Sequence, residues 1–224
     1  MYKNILKTLL FCAFLGFSFG SLAQNKIDDQ GLKQGKWSKK YPNGQLRYSG
    51  QFVNDLEVDT FSFYDKSGRL VSTRIYETAG GKALVKMYNV FGNLHAQGYV
   101  EEKQKQGEWL FFADNGTDTL SIEFYKDHEL DGKQRYFFEN GQLAGFVNCV
   151  NGVKEGEFVD YFENGQIQTK GSYKSGLMEG DIVFYYKTGE LKRKGQYKSG
   201  NQSGVWNEYN PDGSLKLSTD HDKE

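Results

Sequence analysis

Side chains suited to acid–base or metal chemistry are few in this sequence and stand far apart. The histidines are His95, His128 and His221, and none has a second His or Cys at the spacing of a metal site. Neither a nucleophile elbow nor a glycine-rich phosphate loop before a helix is found. Glu139 and Glu163 each precede an Asn-Gly pair, which predicts solvated carboxylates beside turns. The sequence therefore predicts no enzyme and no cofactor.

Aromatic residues at a fixed spacing are the better candidates for function, because they could bind a partner. Each lies four residues before a periodic glycine; the column consists of Tyr64, Tyr88, Phe112, Phe137, Tyr161, Tyr185 and Tyr209. A row of rings on one face of a sheet can bind an extended partner, a glycan or a lipid surface. The same row can instead stabilise neighbouring hairpins by packing along the sheet. Both interpretations stay open, and this column is the candidate partner-binding site.

Basic residues cluster near the C-terminal end of the sequence. The patch comprises Lys170, Lys174, Lys192, Arg193, Lys194 and Lys198. Clustered Lys and Arg can bind lipid headgroups or another polyanion. The chain as a whole gives this idea little support, since it has 28 Lys and Arg against 29 Asp and Glu.

The elements that position these side chains come from an internal repeat. Glycines recur every 24 residues, with one step of 25: Gly44, Gly68, Gly92, Gly116, Gly141, Gly165, Gly189 and Gly213. Most follow a turn-forming residue, commonly Asn. An Asn-Gly pair between apolar stretches predicts a two-residue type I′ turn, which needs positive φ at both residues. Each repeat is therefore predicted to be one β-hairpin.

The turn assignment also predicts the pairing and the faces of the sheet. The residue seven before each glycine should oppose the residue six after it, as Trp37 opposes Gly50, so that a ring covers the glycine backbone. Strict alternation then places three columns on one packed face. These are the Trp/Phe column, a Leu column two after the glycine, and an aromatic column eight after it. Cys149 falls in the last column and is expected to be buried and inert.

The repeat frame resembles a known family. It reads Gly-x-(Trp/Phe)-x-x-Tyr-(Tyr/Phe)-x-Asn-Gly-x-Leu, then Gly-x-Tyr-Lys-x-Gly, and is similar to the MORN (membrane occupation and recognition nexus) repeat in its bacterial variant form. The resemblance implies long, twisted antiparallel meanders that mostly contact proteins or lipids, and it carries the description antitoxin-like. We therefore expect an all-β fold, an elongated single-layer twisted antiparallel meander of about eight β-hairpin repeats.

The N-terminal residues have the composition of an export signal. Lys3 and Lys7 accompany an apolar stretch from about Leu9 to Phe19, and Ser21 and Ala23 are the small residues before a cleavage site. These features predict a secretory signal peptide cleaved after Ala23. The stretch is shorter than the roughly 20 residues that a membrane-spanning helix needs.

The expected organisation is a signal peptide at 1–23, a linker at 24–33, eight 24-residue hairpin repeats at 34–218 and a polar tail at 219–224. Export predicts a periplasmic or extracellular protein, and the expected function is a non-catalytic scaffold for protein–protein interaction. An antitoxin-like protein with one cognate partner, and a binder of glycans or lipid surfaces through its aromatic face, are the alternatives. The balanced charge predicts no nucleic-acid partner and does not support membrane contact. The oligomeric state is left open.

Overall fold

A computed structural model describes residues 24–223, which form strands and turns without a helix. The first ten strands are β1 (Lys26–Ile27), β2 (Lys33–Lys40), β3 (Leu46–Val53), β4 (Leu56–Tyr64), β5 (Leu70–Tyr76), β6 (Ala83–Tyr88), β7 (Leu94–Glu101), β8 (Gln104–Phe112), β9 (Thr119–Lys126) and β10 (Glu129–Leu130). The remaining nine are β11 (Gly132–Phe137), β12 (Leu143–Val150), β13 (Val153–Tyr161), β14 (Ile167–Lys174), β15 (Leu177–Met178), β16 (Gly180–Tyr185), β17 (Leu191–Lys198), β18 (Asn201–Tyr209) and β19 (Leu215–Asp220).

Strand pairing follows chain order throughout. From β1 to β9, each strand pairs antiparallel with its neighbours in sequence. In the second half, β10 and β11 both pair with β9, and β15 and β16 both pair with β14. Within residues 24–223, β19 pairs with β18 alone, so the sheet is open. The predicted all-β antiparallel meander of hairpin repeats is confirmed.

The periodic glycines form a different turn from the predicted type I′ turn. In the first repeat, Gly44 N–H donates to the Tyr41 carbonyl over 2.9 Å and Tyr41 N–H donates to the Gln45 carbonyl over 2.8 Å. Gly44 has a φ of 85°, whereas Asn43 is not among the residues with positive φ. This is a three-residue loop, a type I turn whose following glycine is left-handed. The prediction failed because Asn-Gly suits both turns, and only the glycine needs positive φ here.

The predicted pairing nevertheless holds, because a β-bulge compensates for the longer loop. Lys40 pairs with Leu46 and Lys39 pairs with Tyr48, so Arg47 has no partner opposite it. Beyond this bulge, Trp37 opposes Gly50 as expected. The extra residue recurs in every hairpin: Arg47, Val71, His95, Leu120, Ala144, Gln168, Lys192 and Lys216.

The bulge changes the face on which the Leu column lies. Leu70 pairs directly with Tyr64, and paired residues project to the same face. The sequence had placed this column with the Trp/Phe column, and that assignment is wrong because a bulge adds one residue to the alternation. We call the face that carries Trp37 and Phe61 the packed face. The opposite face, with the leucines and the seven candidate rings, is the open face.

True type I′ turns occur at the other edge of the sheet. Val53 pairs with Leu56 across Asn54 and Asp55, whose φ values are 51° and 64°. Ser175-Gly176 and Ser199-Gly200 form the same kind of turn. The Lys-Ser-Gly segments lie in these turns and connect the strands at the edge, since two residues suffice to join antiparallel strands.

The ends of the described chain attach to this sheet. Residues 24–33, expected as a linker, contain β1, in which Lys26 pairs with Gln34. The tail expected at 219–224 begins inside β19, and His221 N–H donates to the Gly204 carbonyl over 3.0 Å. The predicted signal peptide at 1–23 lies outside the described residues.

Rings of one repeat pack over glycines of the preceding repeat to form the core. Trp109 and Trp206 are each 2% exposed and lie against Gly98 and Gly195. The covering ring was expected from the same hairpin; Trp109 and Trp206 come instead from the next one, whereas Gly171 is contacted by Phe158 of its own hairpin, as predicted. Cys149 is 4% exposed, which confirms its predicted burial, and this burial raises the pKa of its thiol.

Candidate interaction surfaces

Lysine side chains lie over the rings of the packed face. Lys105 Nζ is 4.6 Å from the ring centre of Trp109 and 4.3 Å from that of Tyr125. It also lies 3.2 Å from the Tyr125 hydroxyl, which in turn donates to Glu123 over 2.5 Å. Burial lowers the pKa of Lys105, and the charge of Glu123 opposes that shift. The ammonium group is thus held by cation–π attraction and a nearby carboxylate.

Lysine side chains cover aromatic rings in the same way in two other repeats. Lys33 Nζ lies 4.7 Å from the Phe52 ring centre, and Lys154 Nζ lies 4.9 Å from that of Tyr173. All three lysines stand eleven residues before a turn glycine. Their aliphatic stems cover aromatic surface while the charged ends stay near water. The packed face of this single layer is therefore covered in part by its own lysines.

A groove interrupts the packed face in the second and third repeats. Its volume is about 570 Å³, within the range of small binding sites. Arg74 stands where four other repeats have a glycine, and its partner Val85 stands where five others have a ring. The turn after β5 is longer than the others and folds back, since Gly80 N–H donates to the Glu57 carbonyl over 2.8 Å. The groove thus lies where the ring–glycine contact is missing and a longer turn folds back over the sheet.

Charged and aromatic groups meet inside this groove. The Tyr76 hydroxyl donates to the Glu57 carboxylate, and Arg74 lies 4.0 Å from the same carboxylate. The Arg74 guanidinium lies 4.9 Å from the Phe63 ring centre. Burial, together with the hydrogen bond and charge of Glu57, raises the pKa of Tyr76 to about 12. The arrangement can bind apolar and polar groups side by side.

The seven candidate rings lie in one row on the open face. Each pairs with the Leu column of its own hairpin, except that Phe112 pairs with Thr119. Phe112 is buried at 8% exposure, and the other six are half-buried. None of the seven lies in ring-to-ring contact with another within residues 24–223. The row is therefore a ladder of rings and aliphatic side chains.

Sequence reasoning missed the groove residues Glu57, Arg74 and Tyr76. A signal was available, because the second and third repeats have Asp59 and Ala83 where six other repeats have a second glycine. Departures from the repeat mark the place where the regular packing ends.

The described residues contain neither a candidate metal centre nor a membrane-spanning helix. Within residues 24–223, no group of three or more His, Cys, Asp or Glu side chains could hold a metal ion. Over the same residues, no helix has the length and apolar character needed to cross a membrane.

Comparison with known proteins identifies the repeat. Four segments, 33–54, 130–145, 154–175 and 178–199, match the family model described as the MORN repeat variant. Each includes part or all of a hairpin of the sheet. No curated protein matches the chain.

Proposed function

We propose that this chain, which is a MORN-repeat protein, is an exported, non-catalytic scaffold that binds a partner protein through the groove of its packed face. Repeats of this family generally serve as scaffolds for contacts with proteins or membranes. To this general role the proposal adds that the chain is exported, that it is not an enzyme and that the groove is its binding surface. The observation that carries it is the interruption of the ring–glycine pattern at Arg74 and Val85.

The groove has the composition of a protein-binding site. Aromatic residues and Arg are enriched where protein interfaces bury most surface, and Arg74, Tyr76 and Phe63 meet here. Arg74 keeps 33% of its side chain exposed, so part of its surface is open to a partner. The rings provide apolar contact, while Glu57 and Arg74 provide polar groups of both signs. A partner segment with apolar side chains flanked by polar ones fits this site.

Restoring the repeat pattern should close the groove and abolish binding. In the double variant Arg74→Gly/Val85→Trp, the new indole is expected to cover residue 74 as Trp109 covers Gly98. The matched control changes the neighbouring pair on the open face, Thr73→Ala/Lys86→Gln. The tagged full-length protein and both variants would be used for affinity purification from the native cells, followed by mass spectrometry.

We expect the groove variant to lose specific partners that the control retains. Capture of the same proteins by all three forms would contradict the groove as the binding site. Melting temperatures within a few degrees of each other would show that all three are folded. A single captured protein would favour an antitoxin-like role, whereas several would favour a scaffold.

Export is tested separately, at the N-terminus. The small residues Ser21 and Ala23 support cleavage after Ala23, so N-terminal sequencing of the protein from its native cells should begin at Gln24. A mature protein that retains Met1 would contradict export by this signal.

A further inference from the structure

Four lysines form a regular array on the open face of the sixth and seventh repeats. Lys170 and Lys174 belong to β14, and Lys194 and Lys198 belong to β17. Burial alternates cleanly along β17: Arg193, Gly195 and Tyr197 are half-buried, whereas Lys194, Gln196 and Lys198 are exposed. Tyr173 and Tyr197 pack in the core, so the four lysines project from the other face. We call these four residues the lysine lattice.

The geometry of the lattice follows from the sheet. Lysines four residues apart on one strand are separated by about 13 Å at roughly 3.3 Å per residue. One strand, β16, lies between β14 and β17, so the two rows are about 10 Å apart. A single small anion cannot contact several of these lysines at such distances. An extended polymer with charges at regular intervals can contact several of these lysines at once.

The lattice lysines are not held in close ion pairs, although Glu157 stands on the same face opposite Ser172, between Lys170 and Lys174. Within residues 24–223, none of the four lysines forms an ion pair within 4.0 Å. Glu155 and Glu179 accept hydrogen bonds from the N–H groups of Ser175 and Ser199 at the adjacent turns, both over 2.7 Å. Asp181 accepts a hydrogen bond from Gln196 over 2.8 Å. These acids are engaged with neutral groups of the sheet itself.

The repeat does not require lysine at these positions. Lys170 and Lys194 stand five residues after a turn glycine, where earlier repeats have Ser49, Thr73 and Gln97. Lys174 and Lys198 form part of the Tyr-Lys pair of the repeat frame, which Tyr125-Lys126 also has, whereas other earlier repeats have Val53, Glu77 and Glu101 at this position. The aromatic ladder recurs in nearly every repeat and is explained by packing. The lattice occurs in two repeats only and packing does not explain it.

Aromatic rings lie next to the lattice on the same face. Lys170 Nζ is 5.9 Å from the Tyr185 ring centre, and Lys194 Nζ is 5.9 Å from that of Tyr209. Both rings are half-buried. A row of rings and a row of ammonium groups therefore run side by side across the strands. Such a surface offers apolar contact to the faces of sugar rings and positive charge to their acidic substituents.

We propose that the lysine lattice, with Tyr185 and Tyr209, binds an acidic polysaccharide lying across the strands. Each ammonium group acts as a point charge toward a carboxylate or sulfate group, and the polymer provides these groups in series. This site lies on the opposite face from the groove and in different repeats. Its test is therefore independent of the protein-binding function proposed above.

The test compares two charge-matched variants of the whole protein. The lattice variant is Lys170→Thr/Lys174→Gln/Lys194→Gln/Lys198→Gln, in which the first and third changes use residues found at that position in other repeats. The control variant, Lys36→Gln/Lys39→Gln/Lys40→Gln/Lys66→Gln, removes the same charge from exposed lysines elsewhere. Binding of alginate and of dextran sulfate would be measured by titration calorimetry. Vesicles of phosphatidylglycerol and poly-glutamate are the comparison probes.

We expect the lattice variant to bind at least one polysaccharide about tenfold or more weakly than the unchanged protein and the control. Binding should weaken as salt rises from about 50 to about 200 mM, as for other polyanions. No binding of either polysaccharide by the unchanged protein would overturn the proposal. So would equal weakening in both variants, because that would be an effect of net charge. Tighter binding to vesicles or poly-glutamate would also overturn it, in favour of those partners.

Discussion

The indole of Trp109 lies directly over Gly98 on the preceding strand, too close for any Cβ at position 98. The ring is held there by its Nε1–H, which donates to the Tyr99 carbonyl over 2.9 Å. Trp206 has the same relationship to Gly195 and to the Gln196 carbonyl. Glycine at this position thus allows a ring from the next repeat to lie flat on the sheet and to join neighbouring repeats.

Gly98→Ala should therefore destabilise the protein. The added methyl group would overlap the Trp109 ring, and we expect a loss of about 1–3 kcal/mol, which is usual for overpacking. Urea unfolding followed by circular dichroism measures this change. In a Trp109→Ala background the same substitution should cost much less, because the ring is gone. An equal cost in both backgrounds would contradict a direct contact.

Gly141→Val should destabilise the protein through backbone strain alone. Gly141 has a φ of 81°, and apart from the glycine and its two chain neighbours no atom lies within 4 Å of the position that a Cβ would take. A branched residue forced into this conformation is expected to cost on the order of 1–3 kcal/mol. Gly141→Asn should cost less, because Asn adopts left-handed conformations more readily. Thermal melting of both variants would show the order, and equal melting temperatures would argue against the turn.

The sequence predicted the strand pairing because two errors in the turn cancel. Treating Asn43-Gly44 as a two-residue loop omits one loop residue, and ignoring the bulge at Arg47 omits one strand residue on the other side. Pairing beyond the bulge depends only on the total number of residues between the strands. The face on which a side chain lies changes with every residue along the strand. One bulge residue was therefore enough to assign the Leu column to the wrong face. The bulge has no distinctive residue type, since Arg, Val, His and Ala all occupy it.

The groove could not be derived from the periodicity that revealed the fold. The repeat predicts what recurs, and the groove lies where Arg74 and Val85 depart from it. Its polar contacts, such as that between Tyr76 and Glu57, join strands β4 and β5 through side chains that no spacing rule relates. The seven candidate rings were found because they are periodic. In the structure they pair with side chains of their own hairpins, while their role in binding a partner stays a prediction.

Alkaline conditions should destabilise the protein between pH 10 and about 12. The pKa of Tyr76 is raised from 10.0 to about 12, and burial and Glu123 likewise raise the pKa of Tyr125. A raised folded-state pKa contributes stability that is fully present below pH 10 and is lost as the pH rises through the folded-state pKa. The melting temperature should therefore fall across this range. Absorbance titration of tyrosinate would follow the ionisation itself.

Tyr76→Phe tests the origin of this alkaline loss. The variant should be less stable at pH 8, because the bond to Glu57 is missing, and its melting temperature should depend less on pH between 10 and 12. Tyr76→Phe/Tyr125→Phe should show a still weaker dependence. Tyr197→Phe, on the same face without a bond to a glutamate, serves as the control. An unchanged pH profile in the double variant would show that other groups govern the alkaline transition.

The protein should be elongated in solution. Contacts link mainly strands that are adjacent in the sheet, and the sheet does not close on itself within residues 24–223. Eight hairpins give about sixteen full strands, which at roughly 4.8 Å per strand extend about 75 Å. A compact chain of about 200 residues would have a radius of gyration of roughly 17 Å, and an open single layer must exceed it. Small-angle scattering at several protein concentrations, extrapolated to zero, measures the monomer. A radius near the compact value would mean that the layer folds back on itself and would contradict the open sheet.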